Sequence, residues 1–544
     1  MSRLPTSVID AEIPVFMKYP IGIQTFEQVI GDGYVYVDKT ASVYSLATEG
    51  KIYFLSRPRR FGKSLLISTL DCYFSGRKEL FKGLAIDALE KEWMQYPVFH
   101  IDFNGDDYQV IGELEAVLES YVARWERQYD VEKEPVSLGR RFCNVLAAAH
   151  RQTNLGAVVL IDEYDKPILD VLDMDYKVDF QGKNITLEEY NRNILKGFYS
   201  AFKAADKDLK FVFLTGVTKF SQVSVFSGFN QPNDISMSRQ YEALCGITQD
   251  ELHRYFDEPV KAMAKWYGYS PGEMYERLKE QYDGYHFSNN LVGVYNPFSL
   301  LNALQKSEMQ DYWFKTGTPT YLIRLMNHFH EGLDEMTGRY YSPEEFADYK
   351  ADVERPLPML YQSGYLTIKD FRRDMGVFLL DFPNNEVKRG FVSLVASNYF
   401  ETKENVNSWV QDAVMALKTG ETDRFRILLT SFLASIPYSM RRKENEREKE
   451  RYFHYTFYLL MRLISVYTVF TEKQQSQGRV DCIVETERFV YIFEFKLDGT
   501  AEEALMQIEK NGYAKPYGAD GRQIYKIGVS FSSETGTVEG WKQV

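Results

Sequence analysis

Short apolar runs alternate with amphipathic segments along roughly the first 240 residues of the chain. Ala157–Ile161 and Phe211–Leu214 are apolar throughout, a pattern typical of central strands in a parallel sheet. Ser64–Phe74 is predicted to be a helix, and strands that alternate with helices indicate a parallel α/β sheet. Further strands are predicted at Gly33–Val37, Ile52–Leu55 and Val98–Phe103, and Asp38-Lys39-Thr40 is predicted to cap a helix.

The pattern becomes helical from about residue 246. Thr248 followed by Asp250 and Glu251 is typical of a helix start, because acidic side chains in the first turn favour the helix dipole. Asn296-Pro297 predicts another start, with asparagine as the cap and proline in the first position. The helical pattern continues to about residue 345, and residues 360–368 and 377–380 then predict a helix, a turn and a small hairpin, as in a winged-helix-like module.

A third block begins near residue 401 and is predicted to have the order helix, strand, strand, helix. Tyr452–Phe470 has the apolar stripe of a helix, and Ala501–Lys510 is the second helix. Asp481–Glu485 and Val490–Lys496 are predicted to form a hairpin between them. Since the chain is too long for one core, we predict three domains, over residues 1–245, 246–400 and 401–544.

The composition is that of a soluble globular protein, because 44% of the 544 residues are hydrophobic and 26% are charged. The net charge of −13 excludes a uniformly basic protein that coats DNA, although local basic patches stay compatible with a nucleic-acid substrate. Four scattered cysteines without a C-x-x-C pair argue against zinc and fit a reducing compartment. The first residues lack the apolar core of a signal peptide, and Arg462 interrupts the longest apolar stretch. We therefore expect a cytoplasmic protein without a membrane span.

A strand that runs into a basic loop near the start carries the residues of a phosphate-binding loop. Such a loop needs backbone N–H groups at a helix N-terminus, a lysine, and a hydroxyl for Mg²⁺. Gly62 permits close backbone approach, Lys63 can reach the phosphates, and Ser64 can ligate Mg²⁺. Arg57 stands where the common motif has glycine, and with Arg59 and Arg60 it is expected to add positive charge beside the phosphates. The alternative is a basic turn with a solvated lysine.

A second element of the same site follows the apolar strand that ends at Ile161. Asp162 is expected to hold the magnesium shell, and Glu163 is expected to polarise the attacking water. The alternative is a solvated acidic turn. Thr215 ends a later strand and is the candidate sensor of the γ-phosphate. The candidate nucleotide-binding residues are Arg59, Arg60, Phe61, Gly62, Lys63, Ser64, Asp162 and Thr215, with Ser64 and Asp162 as ligands of Mg²⁺.

The C-terminal hairpin carries the residue types that cleave phosphodiesters with a divalent cation. Two carboxylates that converge on Mg²⁺ activate water, and a nearby lysine orients the water or stabilises the transition state. Asp481 and Glu494 are the candidate metal ligands, and Glu494 and Lys496 share one face because they are two residues apart in a strand. Gln507 on the following helix is expected to face this site. The alternative for Glu494 and Lys496 is a surface ion pair.

The motifs of both ends resemble known bacterial families. The N-terminal part resembles the AAA-ATPase-like domain through Tyr36-Val37-Asp38-Lys39-Thr40, Ser56–Ser64, Ile161–Asp165 and Leu214–Ser221. The C-terminal part resembles the PD-(D/E)XK nuclease superfamily through Gly478–Asp481 and Phe493–Lys496. The resemblance covers nearly the whole chain, and in the first family arginine is usual at position 57. It implies a P-loop-type parallel-sheet ATPase core, a helical or winged-helix-like middle, and a C-terminal α/β domain like that of restriction endonucleases.

The resemblance also implies cofactors and partners. These are ATP and Mg²⁺, with Mn²⁺ allowed at the nuclease site, and nucleic acid as substrate, with DNA favoured over RNA. A role in mobile elements or defence and a homo-oligomer are compatible with it. Gln507 matches the helix of the nuclease family, but position 511 is Asn where some related nucleases have Tyr, and the nearest tyrosine is Tyr513.

Three functions remain open at this point. The first is a nuclease gated by ATP, with Glu163, Asp481, Glu494 and Lys496 as catalytic residues. The second is an ATP-dependent regulatory switch whose nuclease-like domain is a non-catalytic binding platform, and the acidic net charge favours protein partners for it. The third is an ATPase with another metal-dependent hydrolase activity.

Overall fold

A five-stranded parallel sheet organises the N-terminal half of the chain, in agreement with the alternation of apolar runs. Its strand order is β2-β3-β6-β1-β7. Every residue of the central strand Ala157–Asp162 is buried, which explains why that stretch is apolar up to its last residue. The strands of this sheet are β1 Ile52–Ser56, β2 Val98–Asp102, β3 Ala157–Asp162, β6 Leu209–Gly216 and β7 Asn233–Asp234.

The computed structural model describes residues 17–172, 174, 176–219, 232–315, 336–347, 356–400, 406–436, 456, 459–464, 469–471, 474–475, 478–479, 482–519 and 521–544. The chain divides into two compact units, each with its own core. The first comprises Met1–Trp313 and Tyr341–Phe378, and the second comprises Phe314–Tyr340 and Leu379–Val544.

Helices surround the sheet of the first unit, and α3 and α6 pack against β3. Two short antiparallel strand pairs accompany them. One is the hairpin of β4 Lys177–Phe180 with β5 Lys183–Thr186, and the other joins β8 Ile247–Thr248 to β9 Val294–Tyr295, which lie far apart in sequence. Single 3-10 turns lie at Lys78–Phe81 and Asp206–Asp208. The helices up to the sixth strand are α1 Phe26–Gly31, α2 Thr40–Glu49, α3 Lys63–Phe74, α4 Ala85–Leu89, α5 Glu113–Gln128, α6 Leu138–Thr153, α7 Lys166–Leu169, α8 Leu187–Tyr199 and α9 Ala201–Ala204.

Helices follow from residue 249, as the sequence predicts. Thr248 caps the first of them with a capping box, because its side chain accepts from Glu251 N and the Glu251 carboxylate accepts from Thr248 N. Asn296 caps another through Ser299 N, with Pro297 in the first turn. A core that contains Phe256, among other apolar side chains, joins the first four of these helices. The six helices are α10 Gln249–Tyr267, α11 Pro271–Tyr282, α12 Pro297–Lys306, α13 Tyr312–Lys315, α14 Pro343–Phe346 and α15 Leu357–Gln362.

The segment after α15 forms the predicted small hairpin, and a third strand from before α15 joins the hairpin. β10 Arg339–Tyr341, β11 Thr367–Arg372 and β12 Val377–Asp381 form a sheet in the order β10-β12-β11.

A mixed five-stranded sheet forms the C-terminal part of the second unit, in the order β13-β16-β17-β18-β19. β17 and β18 run parallel and the other neighbouring pairs are antiparallel. Helix α19 connects β17 to β18 and packs on both. The elements are α16 Asn385–Phe400, α17 Val406–Thr419, α18 Thr422–Ser435, β13 Val469–Thr471, β14 Gln474–Gln475, β15 Gly478–Arg479, β16 Cys482–Glu485, β17 Phe489–Leu497, α19 Ala501–Asn511, the 3-10 turn Lys515–Tyr517, β18 Gln523–Phe531 and β19 Val538–Gln543.

Two predicted elements are wrong. Gly33–Val37 is not a strand, because Gly33 lies in a turn with φ 69° and, among the described residues, only Tyr34 of this stretch forms a bridge, an isolated one to Lys18. The helix predicted over Tyr452–Phe470 does not reach its expected end, because Val469–Thr471 is a strand that pairs with β16. In both cases the apolar pattern is right but the available partners decide the backbone conformation.

Candidate functional site

The basic loop after β1 leads directly into the N-terminus of α3. Gly62 occupies the N-cap with φ 91°, a left-handed conformation that glycine adopts without steric cost. Arg60 also has a positive φ, of 68°, which is strained for a residue with a side chain. Lys63 and Ser64 are therefore the first two residues of the helix, where backbone N–H groups are free of intrahelical partners and the dipole favours anions.

Lys63 lies inside this loop and is only 4% exposed. Its Nζ donates to the carbonyl oxygens of Arg57 at 3.1 Å and Pro58 at 3.3 Å. The same Nζ lies 3.5 Å from Glu163 Oε1. The structure thus brings the loop lysine and the acidic strand end together in one site, although the two are about 100 residues apart in the sequence.

Asp162 ends β3 and is buried beside the end of β6. Its Oδ1 accepts a hydrogen bond from Thr215 Oγ1 at 2.6 Å and one from Glu163 N at 3.1 Å. Both Asp162 and Thr215 are almost completely buried. The Thr215 hydroxyl, predicted as a sensor of the γ-phosphate, therefore fixes the orientation of the Asp162 carboxylate in this structure.

Asp165 is a structural member of the site that the sequence does not single out. Its Oδ2 accepts hydrogen bonds from Val217 N at 3.0 Å, Thr218 N at 2.6 Å and Thr218 Oγ1 at 2.7 Å. A Cβ at Gly216 would collide with its Oδ1. Complete burial, and to a lesser extent the charge of Glu163, raise the pKa of Asp165 to about 6. Asp165 thus anchors the chain where it leaves β6.

Arg57 has a different role from the one its sequence position suggests. Its guanidinium is buried and donates to the carbonyl oxygens of Ser56, Ser236 and Tyr241. It also lies 3.9 Å from the ring centre of Phe287. Burial lowers the pKa of Arg57. The expected role of Arg57 beside the phosphates is therefore not supported, because its guanidinium is hydrogen-bonded to the protein backbone.

The other predicted loop residues divide into exposed and buried ones. Arg59 and Arg60 are exposed, and the Arg60 guanidinium lies 5.0 Å from the ring centre of Phe298. Phe61 is 1% exposed and packs edge-on against Tyr285. Arg59 and Arg60 are thus accessible from solvent, whereas the Phe61 side chain belongs to the core.

An apolar cavity of about 100 Å³ adjoins the phosphate loop, and nothing in the sequence pattern indicates it. It shares Gly62 and Leu65 with the loop and the first turn of α3. The polar groups at its wall are engaged, since Lys39 Nζ binds both carboxylate oxygens of Glu251 and the Thr69 hydroxyl donates to Leu65 O. The lining comprises Pro20, Val35, Tyr36, Val37, Lys39, Phe61, Gly62, Leu65, Leu66, Thr69, Leu244, Cys245, Gly246, Ile247, Phe256, Pro297 and Leu301.

The C-terminal candidate residues meet at the edge between β17 and α19. Glu494 is 1% exposed, and its Oε1 accepts a short hydrogen bond from Gln507 Nε2. The Oε1 of Gln507 accepts from Lys496 Nζ at 2.6 Å. Gln507 thus bridges the carboxylate and the ammonium, and it faces the site as predicted.

The hairpin that carries these residues forms as the sequence predicts. β16 pairs antiparallel with β17, with Cys482 opposite Phe493. Phe493 and Phe495 stack on each other on the face opposite Glu494, at a ring-centre distance of 6.1 Å. The predicted metal ligand Asp481 lies outside the described residues.

Comparisons with known proteins agree with both halves of this architecture. A family model described as "Predicted AAA-ATPase" matches residues 20–226, and one described as "PD-(D/E)XK nuclease superfamily" matches residues 448–541. The "Uncharacterized protein in vnfD 5'region" of Azotobacter chroococcum mcd 1 is 35% identical over 538 residues, which is 96% of this chain and 98% of that protein. The chain belongs to the family of AAA-ATPase-like proteins with a C-terminal PD-(D/E)XK nuclease superfamily domain.

The resemblance inferred from the motifs is thereby confirmed, and so is the fold class. In this AAA-ATPase-like protein, the described residues contain no group of three or more His, Cys, Asp or Glu side chains arranged to hold a metal ion. Ser64 and Asp162 carry a hydroxyl and a carboxylate, which are oxygen groups of the kind that Mg²⁺ prefers. At the nuclease-like site the described residues supply one such carboxylate, Glu494. Within the described part of the AAA-ATPase-like chain, helices are too short or too polar to cross a bilayer.

Proposed function

We propose that this protein binds and hydrolyses ATP in its first unit and cleaves nucleic acid in a metal-dependent reaction in its second. The observation that supports the first half is the position of Lys63 at the N-terminus of α3, where its Nζ lies 3.5 Å from Oε1 of Glu163, the residue that follows Asp162. We assign residues 1–245 to the ATPase domain, 246–400 to the helical lid and 401–544 to the nuclease domain, and we place the protein in the cytoplasm, in accord with its four free cysteines.

At the nucleotide site each residue has a distinct task. The free N–H groups at the start of α3 and the side chains of Arg59 and Arg60 bind the phosphate oxygens. Lys63 exchanges the loop carbonyls for phosphate oxygens. Ser64 and Asp162 would hold Mg²⁺, which would neutralise developing charge on the phosphates when bound. Glu163 orients the attacking water and accepts its proton.

The apolar cavity supports adenine as the base. It adjoins Gly62, so a nucleotide whose phosphates lie on the loop would direct its base into the cavity. None of the described residues that line the cavity is an aspartate, and the carboxylate of Glu251 is already paired with Lys39. The three N–H donors on the pairing edge of guanine would therefore be buried without a carboxylate to accept them. Adenine has fewer N–H donors on this edge, so its burial costs less desolvation free energy.

At the C-terminal site Glu494 is the residue that would hold the divalent cation, together with Asp481 as the second ligand expected from the sequence. The cation, when bound, activates water and offsets charge on the phosphodiester. Lys496 is oriented by Gln507 and stabilises the transition state. We favour DNA over RNA as the substrate.

A second candidate is a regulatory switch whose nuclease-like domain binds nucleic acid or a protein without cleaving it. The burial of Glu494 and its short bond to Gln507 favour this alternative, because a metal ligand must be reachable from solvent.

One experiment separates the two. Plasmid and single-stranded DNA and RNA are incubated with the full chain and Mg²⁺ or Mn²⁺, with and without ATP, and compared with Lys63→Ala, Glu494→Ala and Lys496→Ala. We expect metal-dependent cleavage that Glu494→Ala and Lys496→Ala abolish, and loss of ATP hydrolysis in Lys63→Ala alone. Binding of DNA without cleavage by the parent would support the switch, and cleavage by Glu494→Ala at the parent's rate would refute the nuclease site.

A further inference from the structure

The outer side of the phosphate loop, residues 57–61, is held by residues from much later in the chain. Pro58 lies against the turn at Gly364, and a Cβ at Gly364 would come within 2.6 Å of Pro58 Cβ. The carbonyl of Arg59 accepts a hydrogen bond from Trp313 Nε1 at 3.1 Å, across 254 residues of sequence. Two successive loop residues are thus fixed by contacts that local sequence does not provide.

The next loop residues are held in the same way. The Phe61 ring packs edge-on against Tyr285 and Phe287, at ring-centre distances of 4.8 Å and 5.6 Å. The guanidinium of Arg60 lies over Phe298. Every loop residue from Arg57 to Phe61 therefore contacts a residue that follows the parallel sheet in sequence.

These contacts explain how the loop keeps a strained backbone. Arg60 has φ 68°, and a non-glycine residue remains in the left-handed region only where its surroundings fix it. Its neighbour Arg59 is fixed through the carbonyl bonded to Trp313, and its neighbour Phe61 through the aromatic rings.

We propose that Trp313 and Gly364 are positioning residues of the nucleotide site, which hold the loop in the conformation that receives a triphosphate. This inference rests on the proposed binding of ATP. Both residues belong to the first unit. Trp313 is its last residue before the chain enters the second unit, and Gly364 lies in Tyr341–Phe378, where the chain is again part of the first unit.

The first test replaces glycines in the full chain. Gly364→Ala places a methyl group against Pro58, whereas Gly376→Ala adds the same group at a similar positive φ, +67° against +86°, with nothing within 4 Å. Binding of ATP and of inorganic tripolyphosphate is measured by titration calorimetry with Mg²⁺, and thermal midpoints report folding. We expect Gly364→Ala to bind both ligands at least about tenfold more weakly than the parent, because a loop displacement of about 1 Å lowers the affinity of a phosphate site. We expect the affinities of Gly376→Ala to stay within about twofold of those of the parent.

The second test removes one hydrogen bond and no volume in the loop. Trp313→Phe keeps an aromatic ring beside Tyr365 but loses the donor to Arg59. Trp409→Phe is the matched control, because its indole N–H also donates to a backbone carbonyl, that of Leu428, in the second unit. We expect tripolyphosphate affinity to fall about threefold in Trp313→Phe, the typical effect of one lost hydrogen bond, and to be unchanged in Trp409→Phe.

The outcomes separate this inference from the proposal beneath it. If the parent binds neither ATP nor tripolyphosphate, the nucleotide site is wrong, and the inference is overturned with it. If the parent binds both and Gly364→Ala and Trp313→Phe bind them equally well, only the positioning role is overturned.

Discussion

At the scale of single residues, hydrogen bonds orient two acids of the candidate nucleotide site. The Asp162 carboxylate receives the Thr215 hydroxyl, and Asp165 receives three donors from the exit of β6. When a buried carboxylate loses a hydrogen-bond donor, the lost free energy is not recovered, because no water takes the donor's place. The donors are therefore as important as the acids themselves.

Thr215→Val tests this dependence, because valine has nearly the same shape without the hydroxyl. We expect kcat for ATP hydrolysis to fall about tenfold, as one hydrogen bond to a charged group is worth about 1.5–3 kcal/mol. ATP affinity should change less than about threefold, and Thr215→Ser should restore the rate. Hydrolysis by Thr215→Val at the parent's rate would show that the Asp162 orientation does not matter.

At the scale of elements, helices and strands bring together groups that a single element cannot. Helix α19 supplies Gln507 to β17, where it links Glu494 and Lys496. In the first unit, His286 joins its own segment to β11. Its backbone N–H donates to Thr367 Oγ1, and its Nδ1 bonds to the carbonyl oxygen of Ile368 at 2.7 Å. A carbonyl only accepts, so Nδ1 carries a proton.

Gln507→Leu should reduce nucleic-acid cleavage about tenfold, because Lys496 and Glu494 lose their shared partner while the helix remains intact. Met506→Leu is the control, since Met506 is the neighbouring residue of α19 and is 62% exposed. Cleavage rates of both variants measure the effect of the bridge, and circular dichroism checks that both variants keep their helical structure. Equal rates for Gln507→Leu and the parent would exclude a role for the bridge.

His286 predicts a pH effect on stability. Burial lowers the pKa of His286 from its ordinary 6.5 to about 4, so the folded protein favours the neutral ring. Its contribution is fully present above pH 6.5 and is lost as the pH falls through about 4. We expect the thermal midpoint of the parent to fall more steeply than that of His286→Gln between pH 7 and pH 4.5. Parallel curves for the two proteins would contradict this.

At the scale of the whole molecule, two compact units share one chain and carry different candidate chemistries. The phosphate loop, the acids of β3 and the apolar cavity all belong to the first unit, and Glu494, Lys496 and Gln507 belong to the second. A ligand of the nucleotide site therefore contacts the first unit directly.

ATP should stabilise the first unit by about 2.7 kcal/mol at a free concentration of about 100 times its Kd. Hydrogen exchange measured with and without ATP and Mg²⁺ should show slower exchange in residues 52–74 and 157–165. Lys63→Ala should abolish the difference, whereas Glu494→Ala should preserve it. Protection that persists in Lys63→Ala would place the nucleotide elsewhere.

The sequence by itself determined the elements that local pattern controls. Apolar runs specify β1, β3 and β6, the capping box at Thr248 specifies the start of α10, and Gly62-Lys63-Ser64 at the end of a strand indicates the phosphate loop. These features depend on neighbours within a few residues, so the chain shows them directly. Local pattern does not predict Gly33–Val37 correctly. Its apolar residues suit a strand, but among the described residues it forms only the isolated bridge between Tyr34 and Lys18.

Only the tertiary structure decided what those residues contact. It turned Arg57 from the phosphates to backbone carbonyls, gave the Thr215 hydroxyl to Asp162, and placed Trp313 and Gly364 against the phosphate loop. It also formed the apolar cavity from segments that are more than 200 residues apart. Such contacts join distant parts of the chain through shape and burial, and no local pattern of side chains encodes them.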